Sequence, residues 1–115
     1  MSYVDGFVAA VPTENKAAYI EHCQLFATLV KKHGALSYYE CWGEDVPDGQ
    51  ITSFPMAVKC KEDEQVVFSW IVWPSKTMRE QSMEQVMAEF EGLELTMPFD
   101  GSRIIFGGFD VVVSA

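Results

Sequence analysis

The sequence predicts an α+β fold: a ferredoxin-like sandwich, with an antiparallel sheet carrying two helices on one face. Three observations predict it. Two segments show apolar residues at helical spacing, one in each half of the chain. Strand-like runs open the chain, close it and fill the space between those helices. One of these runs, VVFSWIVWP at 66–74, is apolar on both faces apart from Ser69, as expected of a central strand covered on both sides.

The elements follow in order. YVDGFVAAVP at 3–12 is β-rich and ends at a proline, which marks a strand. Thr13 is placed to cap a helix over Glu14–His33, with Glu14 in its first turn, where an anion suits the helix dipole. Tyr19, Cys23, Phe26, Ala27 and Val30 form its apolar stripe. Lys31, Lys32 and His33 crowd its last turn, and Gly34 suits the position just beyond.

ALSYYECWGED at 35–45 reads as a second strand. Leu36, Tyr38, Glu40, Trp42 and Glu44 share one face, because side chains alternate along a strand. VPDG at 46–49 has turn chemistry, with Gly49 at a left-handed position. ITSFPMAVKC at 51–60 reads as a further β-like run, which puts Asp45 and Asp48 at the end of a hairpin.

KEDEQ at 61–65 is a polar break before the central strand. Ser75 is placed to cap a second helix over 76–91, with Met78, Met83, Val86, Met87 and Phe90 as its stripe and Arg79 near the stripe's edge. Gly92 ends it. A connection with a Pro98–Gly101 turn leads to a last strand over 103–113, where Gly107 and Gly108 suggest a bulge or a close backbone approach. There is no repeat, low-complexity tract or linker, so residues 1–115 read as one domain.

The chain has 115 residues, of which 49% are hydrophobic and 13% aromatic, enough for a core and against disorder. Seventeen acids against eight bases give a net charge of −9. Such a surface repels phosphate backbones and anionic lipid, so neither nucleic acid nor a membrane is an expected partner. No apolar run is long enough for a membrane span, and the N-terminus has no basic segment before its apolar stretch. Cys23, Cys41 and Cys60 cannot all pair within one chain and form no CxxC, which reads as reduced thiols in the cytoplasm.

Little here looks like chemistry. GxGxxG, P-loop, HExxH and GxSxG patterns are all missing, and neither a metal nor a cofactor is expected. His22 and His33 stand 11 residues apart on one helix, a rise of roughly 16 Å and too far to share a metal. Cys23 and His22 are adjacent, so their side chains diverge by about 100° and make a poor nucleophile pair. The catalytic candidates are His22 and Glu40. Glu40 needs partners if its face is the core, and is a base if that face lines a cleft. The preferred reading of that face is an edge strand meeting water or another subunit. His22 is read first as a surface or interface residue.

With both helices on one face, the other carries apolar side chains from the set Phe68, Trp70, Ile71, Val72 and Trp73. A homodimer through that sheet face is the economical expectation. A small, flat, apolar ligand between sheet and helices is the alternative. Phe7, Trp42, Trp70, Arg79 and Met83 would line its site, with Arg79 holding an anionic oxygen; in a non-catalytic dimeric module the aromatics are instead core and interface, and Arg79 pairs with an acid.

YVDGFVAAVP, HGAL, ECWGEDVPDG, TSFPMAVK, VVFSWIVWPSK and MPFDGSRIIFGGF together resemble the YbaA-like family of small bacterial proteins of unknown function. The resemblance spans nearly the whole chain, and Glu91–Thr96 departs from the pattern. It implies the dimeric α/β-barrel superfamily, in which two ferredoxin-like chains join their sheets. It implies no activity, because that superfamily mixes cofactor-independent monooxygenases and haem-degrading enzymes with proteins of no known chemistry. By that analogy a reaction here would be oxygen insertion into an electron-rich aromatic, with His22 or Glu40 moving a proton.

Overall fold

A computed structural model describes residues 2–115. The elements are β1 (Tyr3–Pro12), α1 (Lys16–Lys32), β2 (Ser37–Trp42), α2 (Phe54–Ala57), β3 (Glu64–Trp73), α3 (Lys76–Gly92) and β4 (Ile105–Asp110). Short 3₁₀ turns at Thr13–Asn15 and Gly101–Arg103 precede α1 and β4. The four strands form one antiparallel sheet in the order β2-β3-β1-β4.

Alternation along the two central strands assigns the faces. Ala9 and Val11 of β1 and Val67 of β3 bury Tyr19 and Cys23 of α1. Ile71 and Trp73 of β3 join Val30 of α1 and Val86 of α3. Both long helices therefore cover the same face of the sheet, and their stripes form its core. Ser75 caps α3, its Oγ accepting from the Met78 amide at 3.1 Å.

The start of α1 differs from expectation. Thr13 lies in the 3₁₀ turn and donates its amide to the Asp63 carbonyl at 2.9 Å. Asn15 takes the N-cap position without a capping bond, because its Nδ2 donates to the Pro98 carbonyl at 2.8 Å. The helix end has given up its local cap for a link to a distant loop.

The run 51–60 is the larger correction. It makes no strand, and Asp45 and Asp48 lie in a long connection between β2 and β3 rather than at a hairpin end. Ser53 caps one helical turn by accepting from the Met56 amide at 3.1 Å. Pro55 stands in that first turn, where its missing N–H costs nothing. Val58 of the run plugs the sheet instead of extending it: only 1% exposed, it seats on Val8, Ala10 and Val66 on the face away from the helices. Gly49 does take the left-handed conformation, with φ of +68°.

β4 is shorter than the expected 103–113, and it has no bulge: the register runs unbroken from Tyr3↔Asp110 to Val8↔Ile105. Gly108 is instead a close approach. The Tyr3 ring lies where a side chain at 108 would go.

Candidate functional site

The even-numbered residues of β2 settle the question raised by Glu40. Tyr38, Glu40 and Trp42 lie opposite Ile71, Ser69 and Val67, on the face that the helices cover. The preferred expectation, an edge face meeting water or another subunit, does not hold. The side chain of Glu40 reaches under α1, where Tyr19 and Cys23 stand one turn apart. Tyr19 Oη donates to Glu40 Oε1 at 2.7 Å. Tyr38 Oη, two residues away on the same strand face, donates to Oε2.

Burial pushes both phenols far above their ordinary range, and the Glu40 charge adds to the effect. They stay protonated and serve as fixed donors. The Cys23 thiol, beside them, is pushed up to about 12 by burial and then by Glu40. It is a protonated small hydrophobe, not a nucleophile. His22 packs edge-on against Phe90, ring centres 4.9 Å apart, and burial lowers its pKa.

The carboxylate divides two spaces. Between sheet and helices is a cavity of about 170 Å³ that is partly open to solvent. Phe7, Phe26, Met83, Phe90 and Phe99 are among its apolar walls, and His22, Tyr38 and Glu40 supply polar atoms. Outside, a groove of about 300 Å³ runs past Lys16, Ile20, Gln24 and Trp42. Tyr19, Cys23, Tyr38 and Glu40 line both. Lys16 Nζ sits 5.2 Å from the centre of the Trp42 ring.

Of the residues singled out from the sequence, Phe7, Met83, His22 and Glu40 come together in the cavity. Trp42 lines the groove. Trp70 is on the opposite face of the sheet, stacked on Tyr39 at 5.0 Å, because it stands opposite Gly6 and Tyr39 in the ladders. Arg79 is held by Asp5, at 2.7 Å from Nη2 to Oδ1, and lines neither space. Tyr19 and Tyr38 were missed as site residues, since a tyrosine in an apolar stripe reads as core. The available signal was Tyr38 two residues before Glu40, on one strand face.

Among the described residues no three His, Cys, Asp or Glu side chains gather as a metal site. None of the described helices is long and apolar enough to cross a membrane.

Comparison with known proteins places the chain. Residues 2–101 match a family described as "Protein of unknown function (DUF1428)". The chain belongs to the DUF1428 family. It is 50% identical over 115 residues to the "Uncharacterized protein YbaA" of Escherichia coli strain K12, covering 98% of each chain. The YbaA protein of Shigella flexneri matches to the same extent. A solved structure, "De novo designed protein Foldit4", aligns with this DUF1428 chain over 96% of its length at 12% identity and a TM-score of 0.46.

Proposed function

We propose that this DUF1428 protein is a homodimeric module of the dimeric α/β-barrel type that binds one small apolar ring compound between the sheet and helices of each subunit. The single observation that carries the ligand reading is the cavity. Its volume of about 170 Å³ suits one ring, since a dry apolar cavity of about 150 Å³ accepts benzene. Apolar walls with a few convergent polar atoms are the usual make-up of a small-molecule site. Glu40 and His22 are the groups placed to exchange a proton with such a ligand. Arg79 takes no part, because Asp5 already holds it.

The ferredoxin-like, single-domain reading is supported by the strand order and by both long helices lying on one face. The homodimer is supported by the face those helices leave open. The free thiols of Cys23, Cys41 and Cys60 suit a reducing compartment such as the cytoplasm.

The test is the melting temperature with and without toluene, on the natural chain and on Met83→Trp, which fills the cavity. A ligand that binds only the folded state raises the midpoint. The natural chain is expected to gain stability with toluene and the variant to gain none. Equal responses, or no response from the natural chain, would remove the cavity as a binding site.

A further inference from the structure

We propose that the cavity ligand is an organic cation, a compact ring carrying a protonated amine, with Glu40 as its counter-ion. This rests on the cavity reading above and adds the charge of the ligand.

The geometry around Glu40 sets the requirement. Each carboxylate oxygen accepts one phenol hydrogen, Oε1 from Tyr19 and Oε2 from Tyr38. A carboxylate oxygen has two lone-pair sites, so one on each oxygen is left. Both phenol hydrogens are already spent on Glu40. The two phenols therefore present no further donor to a ligand, and Glu40 presents acceptors. A ligand that brings N–H donors meets those acceptors, whereas a carboxylate would face the Glu40 carboxylate and find donors only farther along the lining, at His22 and Ser69.

Charge points the same way. Among the described residues Glu40 has no Lys, Arg or His within ion-pair distance. Lys16, the basic residue of the groove, is placed over Trp42. His22 packs edge-on against Phe90, and burial lowers its pKa, which disfavours its charged form. A partly buried carboxylate without a counter-charge is costly, and an incoming cation relieves that cost. The walls add to the preference. Tyr19, Tyr38, Phe26 and Phe90 line the same cavity as Glu40, and aromatic faces attract cations. The net charge of −9 draws cations toward the surface and repels anions.

Three probes of one shape separate the possibilities: benzylammonium, benzyl alcohol and benzoate, titrated calorimetrically at neutral pH. The natural chain is expected to bind benzylammonium about tenfold or more tighter than benzyl alcohol, with benzoate weakest. Glu40→Gln keeps the shape but loses the charge and one of the two acceptor oxygens, so one phenol keeps its bond to the amide oxygen and the other turns to accept from the amide N–H. It is expected to bring amine and alcohol to within about twofold of each other. The order on the natural chain decides the matter even if the variant folds poorly. Alcohol and amine binding equally, or benzoate binding best, would overturn the cation while leaving the cavity reading intact. Failure of all three to bind the natural chain would overturn both.

Discussion

Asp5 is 3% exposed on a central strand, an unusual place for a carboxylate. Its partners account for it. Trp73 Nε1 donates to Oδ2 at 2.9 Å. Arg79 donates through Nη2 to Oδ1 at 2.7 Å and through Nε to both oxygens at 3.1 Å. This carboxylate fastens α3 to the middle of the sheet. Asp5→Ala strands a buried indole N–H and a guanidinium that is 28% exposed and can still reach water, a loss of about 2–3 kcal/mol. A fall of that size is expected in the unfolding free energy measured in urea; a change under about 1 kcal/mol would mean that the contacts carry no stability. The identity of the acid that Arg79 meets was not legible in the sequence. Arg79 read as a stripe-edge residue that either holds a ligand or pairs with an acid, and no local spacing reveals an acid 74 residues away. Glu40 was more readable, because its strand placed Tyr38 beside it. Tyr19 was not, because helical periodicity assigns a residue to a face without saying which strand that face meets.

At the scale of elements, the long connection between β2 and β3 is held by one arginine. Arg103 donates to both oxygens of Glu64, at 2.7 and 2.6 Å, to Asp100 Oδ2 at 2.9 Å and to the Lys59 carbonyl at 2.8 Å. The side chains of Arg103 and Glu64 are only 13% and 4% exposed. The Arg103 hydrogen bond holds the Glu64 carboxyl below its ordinary value of 4.5. Ser102 and then Arg103 pull Asp100 from 3.8 to about 2. Both pKa values are depressed by folding, so their contribution is fully present above the unfolded values and is lost as pH falls through the folded ones. Stability is therefore expected to decline from about pH 4.5 toward pH 2. Arg103→Ala is expected to start lower at neutral pH and to decline less steeply, with Ser102 still acting on Asp100. Urea midpoints across that range measure it, and parallel slopes would contradict the assignment. The same connection shows why its fold was misread. Phe54, Met56 and Val58 alternate like a strand, yet Ser53 with Pro55 two residues on is a helix-start signature. The apolar residues serve the sheet face and not a ladder, and periodicity alone cannot distinguish those uses.

At the scale of the whole molecule, the sheet face opposite the long helices remains to be explained. Val58 covers one end of it. Beyond that, Tyr39, Trp70 and Phe68 form an aromatic row, and Phe109 and Ile105 continue it on β4. Tyr39 is 52% and Phe109 61% exposed. The strand residues of this face carry no charge except Glu64 at its covered end, which Arg103 neutralises. In a chain of net charge −9, that uncharged patch is where a second copy can approach without like charges meeting. The apolar character of β3 on both faces was legible; how much of the outer face the chain covers for itself was not. A homodimer through this face is expected to sediment at twice the chain mass of 12.9 kDa. Phe68→Asp puts a carboxylate at the centre of the aromatic row, and a symmetric interface receives it twice. The variant is expected to sediment as a folded monomer, its far-ultraviolet circular dichroism unchanged. Salt supplies an independent check. Two copies each carrying −9 repel over distances that about 0.15 M salt screens to roughly 8 Å. Apolar contact is not weakened by that screening, so dimerisation is expected to tighten as salt rises from low to physiological strength. A dimer that loosens with salt would be held by ion pairs, and those do not lie on this face.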